Sequence, residues 1–278
     1  MIFPFLKYKQ QLEPCVAKGP SISSAIQYKG DYQGSSIVLA LPKSNHKNPS
    51  PDIQFSGSYG QGSQSASHSD RRWREEGYMT RGYRFWGPRG VGEVHELSAE
   101  GWFASMREPK EEMSLFHPRA FEWAVIDYVE DRLVNKPKER WATSSPNTIR
   151  APIFWQPFDH LPGPAAFFHI DTGSTTTPNY YFVTVLDDND LLFVGFDLDV
   201  NRFGPKHIPP EEWVDMRNMK QLMFDIFNTL EIELSPEAEA RRKKAIEGLD
   251  DTSLRSTMET QVLHFPPKSE QASIVSAS

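Results

Sequence analysis

The first sustained apolar run is Ser36-Ile37-Val38-Leu39-Ala40-Leu41, halted by Pro42, and it reads as a strand. Lys43 to Asp70 is rich in Ser, Gly, Gln and Asn, with too few apolar residues to offset the entropy of ordering them, and is expected to be a mobile loop. From Tyr78 the chain turns aromatic. Tyr83, Phe85, Val91, Val94 and Leu97 nearly alternate about Gly87-Pro88-Arg89-Gly90, the pattern of a hairpin, and Trp102, Phe103 and Met106 follow as a third short strand or a turn.

Phe121, Ala124, Val125, Tyr128 and Leu133 recur at helical spacing behind Pro118, a residue that suits a first helical position, and predict a helix over 118–134. Strands are expected around Ile153-Phe154-Trp155 and over Ala166 to Ile170, with a proline-rich turn between them. Tyr180 to Leu186 and Leu191 to Phe196 are apolar at nearly every position and flank Asp187-Asp188-Asn189-Asp190. They predict a hairpin buried on both faces, near the centre of a sheet. A second helix is expected from Pro209 to about Leu230, with a seam of Trp213, Met216, Lys220, Met223, Phe227 and Leu230. A third follows Ser235-Pro236 and stops at Gly248.

Hairpins, not β-α-β units, connect these strands. The fold class is therefore α+β: a mainly antiparallel sheet with two or three helices packed on one face, 118–134 and 209–230 foremost. Residues 1–30 read as an N-terminal extension, 31–248 as a single domain with a flexible loop at about 43–70, and 249–278 as a flexible tail.

Composition narrows the function. The chain of 278 residues carries a formal net charge of -7, which argues against nucleic acid as a general partner. Cys15 stands alone, excluding a disulfide framework and a cysteine-based zinc site. No apolar run approaches a membrane span, and the apolar start, Met1 to Leu6, is too short for an export signal, so a cytoplasmic location is expected.

Several fragments carry potential chemistry. Asp171-Thr172-Gly173-Ser174 at the end of an apolar strand resembles the active-site turn of pepsin-like and retroviral aspartic proteases; no second such motif follows. Asp197-Leu198-Asp199 after Leu191-Leu192-Phe193-Val194 resembles the first motif of haloacid-dehalogenase-type phosphatases, which implies Asp197 as nucleophile and Asp199 as general acid. Asn201 departs from that pattern. Asp187, Asp188, Asp190, Asp197 and Asp199 form an acidic set suited to a basic partner. His160 beside Asp159 and His169 near Asp171 are histidine–carboxylate neighbours. Arg71, Arg72, Arg74, Arg81, Arg84 and Arg89 lie among Trp73, Tyr78, Tyr83, Phe85 and Trp86, an interleaving that can hold phosphates or bases.

No fragment has the partners its chemistry requires, and no cofactor or metal is implied. The sequence therefore points first to a non-catalytic protein-binding domain, for example an inhibitor or immunity-type protein that blocks a toxin or enzyme. Its binding residues would be the five aspartates and its partner a protein with a basic surface. The first alternative is a hydrolase using His160, His169, Asp171 and Asp197. The second is a phosphate or nucleic-acid binder through Arg71 to Arg89.

Overall fold

A computed structural model describes residues 15–46, 71–87, 93–110, 113–134, 148–171, 179–200 and 214–264. The strands in chain order are β1 (Cys15–Val16), β2 (Ala25–Tyr32), β3 (Ser35–Pro42), β4 (Trp73–Trp86), β5 (Glu93–Met106), β6 (Thr148–Phe158), β7 (Ala165–Asp171), β8 (Asn179–Asp187), β9 (Asp190–Val200), β10 (Val214–Asp215), β11 (Glu231–Glu233) and β12 (Gln261–His264). The helices are α1 (Pro118–Val129), α2 (Arg217–Phe227) and α3 (Pro236–Ile246). A seven-stranded antiparallel sheet runs β12-β6-β7-β8-β9-β5-β4, and a three-stranded one runs β11-β3-β2. The fold is α+β, as the order of elements predicts. No helix among the described residues is long and apolar enough to cross a membrane.

β8 stands at the middle of the large sheet with β9 beside it, and β8 is buried from Tyr180 to Leu186. Alternate side chains enter two separate cores. On one face Tyr181, Val183, Leu191 and Phe193 meet Phe121, Val125 and Tyr128 of α1. On the other, Phe182, Leu192, Val194 and Phe196 meet Met219, Met223, Ile226 and Phe227 of α2, together with Ile37, Leu39 and Leu41 of the small sheet. The expected pairing of 118–134 with 209–230 on one face is thus replaced. α1 shares its face with Ala238 of α3, and α2 lies opposite. Strands apolar on both faces require cover on both.

Other boundaries move for local reasons. Trp102, Phe103 and Met106 are not a separate strand but the second half of β5, which pairs with β4 through a register shift between Gly77 and Met79. The α1 helix continues as a π-helical turn, Glu130–Val134, so the predicted span to 134 is filled. The described part of the second helix is Arg217–Phe227, and 209–213 of the expected span lie outside the described residues. Val214–Asp215 is extended beside Cys15–Val16, and Lys220, placed in the apolar seam by its spacing, is exposed, while Met219 and Leu222 are buried. Trp213 lies outside the described residues. The third helix matches its signals: Ser235 Oγ accepts from the Ala238 N–H at 3.1 Å, Pro236 follows it, and Gly248 adopts φ +76°. Residues 249–264 return across the domain instead of trailing away. Gln261–His264 adds an edge strand to β6, and the Arg255 carbonyl accepts from Trp155 Nε1 at 3.0 Å.

The outer edge of β4 is held by the segment after β3. Ser44 Oγ donates to the Gly82 carbonyl at 2.8 Å. The Asn45 side chain donates to the Arg84 carbonyl at 2.9 Å and accepts from its N–H at 2.7 Å. The mobile-loop reading of 43–70 therefore does not extend to 44–46; residues 47–70 lie outside the described ones.

Gly195 in β9 sits beneath Trp102. A Cβ there would come within 2.7 Å of the indole, which stacks on Phe193 at 5.3 Å. Gly195→Ala is expected to destabilise the fold by about 2 kcal/mol through overpacking. Urea unfolding of the variant against the parent chain measures it.

Candidate functional site

The acidic set is not one surface. Asp190 and Asp197 are separated by roughly 23 Å of strand. The turn between β8 and β9 is engaged internally. Asp187 accepts a two-pronged bond from Arg241 of α3, at 2.6 and 2.5 Å. Asp188 accepts from Ser114 Oγ, and its carbonyl accepts from the Leu115 N–H at 2.9 Å. The Asn189 carbonyl accepts from Met106 N–H at 3.0 Å. Asp190, 7% exposed, accepts from the Tyr32 hydroxyl at 3.1 Å. Burial raises the Asp190 pKa, and bonds from Ser105 and Tyr32 oppose the rise. The turn thereby ties α3, the approach to α1, the end of β5 and β2 to the central hairpin.

Asp197 is exposed on the α1 side of β9, within the strand rather than at its end. Desolvation by the surrounding sheet, then the Glu100 carboxylate, raises its pKa. Both neighbours of β9 are antiparallel, unlike the parallel strand that the phosphatase resemblance implies. The side chain of Asp199 lies outside what is described.

The hydrolase set is dispersed. His169 pairs with Tyr180, and Tyr180 with Phe196, so all three project to the α2 side. Asp197, next along β9, projects to the other side. His160 lies beyond Phe158, whose partner is Ala165, against the rings of Phe158 and Phe227. From Ala165 to His169 the strand rises roughly 13 Å. Only His169 and Asp171 remain near each other, on one face of β7, and Asp171 also meets Arg150 at 3.8 Å. Thr172 to Ser174 of the protease-like turn lie outside the described residues.

The arginines of 71–89 are likewise divided. Arg72 pairs with Asp127 at 3.4 Å and Glu130 at 3.1 Å. Arg84 pairs with Glu93 at 3.0 Å. Arg81 is buried on the α2 side of β4, whereas Arg71 is half-buried and Arg74 is exposed. Arg89 lies outside the described residues. Among the described residues no three His, Cys, Asp or Glu side chains are placed to hold a metal ion.

A polar network absent from the sequence reading lies under α1. Tyr128 hydroxyl accepts from Trp102 Nε1 at 2.5 Å and from Arg132 at 2.7 Å, and donates to Glu75 at 2.6 Å. Its donor and both acceptor positions are used. Burial pushes the phenol well above its ordinary pKa. The adjoining crevice, lined by Tyr128, Arg132, Phe168, Tyr181 and Phe193, is too narrow for a water molecule. Its geometry is that of a satisfied structural hub.

The unusual surface is on β6. Ala151–Pro152 is a cis peptide, and register shifts against β7 bracket Ile153. β12 pairs with the outer edge only from Thr148 to Ala151; at Pro152, which has no N–H to offer a ladder, the Thr260 hydroxyl donates to the carbonyl at 2.9 Å, and among the described residues the strand is unpaired on that side beyond it. Phe154 adopts φ +53°, a left-handed conformation unfavourable for an aromatic residue, and is 76% exposed. Its ring lies 5.1 Å from His169, which lies 5.6 Å from Tyr180; Lys220 Nζ is 5.9 Å from the Tyr180 ring. The result is an aromatic platform with a strained residue at its outer end. The run Ile153-Phe154-Trp155 behind a proline carried the signal: three large apolar side chains in succession cannot all be buried on an uncovered edge.

Comparison with protein-family models and with curated proteins yields no match.

His169 is expected to titrate below the ordinary 6.5, chiefly because burial disfavours the imidazolium, with Asp171 opposing and Lys220 adding to the fall. NMR titration should show its midpoint moving further down in Asp171→Asn and up in Lys220→Met. A lowered folded-state pKa means that His169 contributes stability above 6.5 that is lost as pH falls from there through its folded value. Asp190 has the opposite sign. Its raised pKa contributes stability below 3.8 that disappears as pH rises through the folded value. Asp190→Asn should accordingly gain on the parent chain across that interval in denaturant titrations.

Proposed function

We propose that the chain is a non-catalytic protein-binding domain that anchors its partner through Phe154. The supporting observation is a large aromatic ring held in solvent at φ +53° and 76% exposure. A strained, exposed aromatic costs stability without returning any through burial, and such conformations cluster where structure serves binding. Aromatic residues also lead among the side chains that carry interface energy. His169 and Tyr180 back the ring from the sheet, so little conformational freedom is left for a partner to remove.

The partner chemistry that fits is an apolar pocket on a protein of basic surface. The net charge of -7 steers a cationic partner towards the domain at low salt. Of Asp187, Asp188, Asp190 and Asp197, only Asp197 has an exposed side chain, and it lies on the opposite face of the sheet from His169. It contributes to that long-range field rather than to the Phe154 contact. Filling a pocket on an enzyme or toxin is how an inhibitor or immunity-type protein acts, and that is the finer form of this reading.

The test places a photoreactive phenylalanine analogue at position 154, with position 123 as control, since Trp123 is another partly exposed aromatic. Crosslinking in native lysate should yield one protein adduct from 154 and none from 123; indistinguishable patterns would sink the reading. With the partner in hand, Phe154→Gly should weaken binding by about 2 kcal/mol, roughly 30-fold. The same variant should unfold at no lower temperature, because relief of the left-handed strain is worth about 1 kcal/mol.

A further inference from the structure

Arg81 occupies the wrong kind of row. Its neighbours on the same face of β4 are Met79, Tyr83 and Phe85, all buried in the core shared with α2 and the small sheet. Directly across on β5 is Ala99, whose short side chain leaves room for the guanidinium. Only 7% of Arg81 is exposed. Its Nη2 donates to the Tyr28 hydroxyl at 3.1 Å, and its guanidinium lies 5.5 Å from the Tyr28 ring centre. Its buried Nε has no hydrogen-bond partner, and no carboxylate among the described residues forms an ion pair with it.

Two other arginines of low exposure each meet a carboxylate, Arg84 with Glu93 at 3.0 Å and Arg132 with Glu75 at 3.5 Å, although Arg84 Nε, like Arg71 Nη2, is also buried without a hydrogen-bond partner. A guanidinium carries five N–H donors and no acceptor. Withdrawing it from water against one neutral hydroxyl leaves most of its desolvation cost uncompensated. An arginine without an anion is therefore a poor structural choice at this position; a methionine would fill the same space.

The location gives access. The inward row of β2 begins at Tyr32, stacked on Phe103 at 4.1 Å, passes through half-buried Tyr28 and ends at Ile26, 53% exposed. Exposure grows along that row, and Arg81 lies against its half-buried middle at Tyr28. Tyr83 is close by but committed, its hydroxyl donating to the Pro42 carbonyl at 3.4 Å.

We infer that Arg81 and the Tyr28 hydroxyl form a binding site for a small oxyanion, a carboxylate or phosphate group, entering between β2 and β4. The guanidinium supplies charge and directional N–H donors. Having accepted from Arg81, the Tyr28 hydroxyl retains its proton to donate to the same anion. The site is independent of Phe154, which lies on β6 at the far side of the large sheet.

Thermal unfolding of the full chain tests it, in sodium phosphate or sodium acetate titrated at constant ionic strength against chloride. The parent chain should show a saturable rise in midpoint with at least one anion, as a ligand of the native state requires. A response to phosphate alone assigns a phosphoryl ligand, and one to acetate alone a carboxylate. Arg81→Met should abolish the rise and be at least as stable as the parent in chloride. Tyr28→Phe, which keeps the ring, should weaken the response about tenfold, the effect of one bond to a charged group. Should Arg81→Met fail to fold, calorimetric titration of phosphate and acetate into the parent and Tyr28→Phe chains decides. Absence of saturable binding in the parent, or equal binding in both chains, overturns the proposal. So does a response that persists unchanged in Arg81→Met.

Discussion

Two neighbouring strands at the middle of the large sheet, β8 and β9, carry Val, Phe and Leu on both faces, and water can be admitted to neither. That constraint arranges the rest. It demands a cover on each side, which separates α1 from α2 and brings the small sheet against α2. It also demands that the polar turn joining the strands be supported where the apolar layers end. Asp187, Asp188 and Asp190 meet this need by receiving Arg241, Ser114 and Tyr32. A patch that looks like an acidic surface in one dimension is a structural junction in three.

The parts legible in the sequence are those set by local physics. The central hairpin was readable because its burial pattern lies within two short runs, and the Ser235-Pro236 start because capping involves neighbours only. What escaped depends on distance along the chain. Arg241 is far from Asp187 in sequence, so neutralisation of the turn has no local signature. The return of 249–264 to β6 rests on the backbone ladder from Gln261 to His264, which any side chain could accompany, and on the Trp155 indole, whose acceptor is the carbonyl of Arg255, distant in sequence. The helix at Arg217 is preceded by Val214–Asp215, extended beside β1, a pairing with a distant part of the chain that helical apolar spacing does not reveal.

The same distinction governs the sites. Residue types invited a histidine–aspartate reading, but strand parity places His169 and Asp197 on opposite sides of the sheet. Phe154 and Arg81 carry no such signal in their residue types, because an aromatic in a strand and an arginine among arginines are ordinary in composition. They stand out only through placement: one apolar group kept in solvent, one charge kept from it. Each reverses the usual partition at a local cost in stability, and the two costs fall on separate parts of the fold.

The strut formed by Ser44 and Asn45 has a wider consequence. A sheet edge with unsatisfied N–H and carbonyl groups is a template on which a second chain can build. Asn45 occupies both groups of Arg84 with its own amide, mimicking one rung of a neighbouring strand without being one, and Ser44 takes the Gly82 carbonyl. With the backbone pair between Lys18 and Trp86 beside them, these two short polar side chains occupy groups at this margin on which a strand of another chain would otherwise pair.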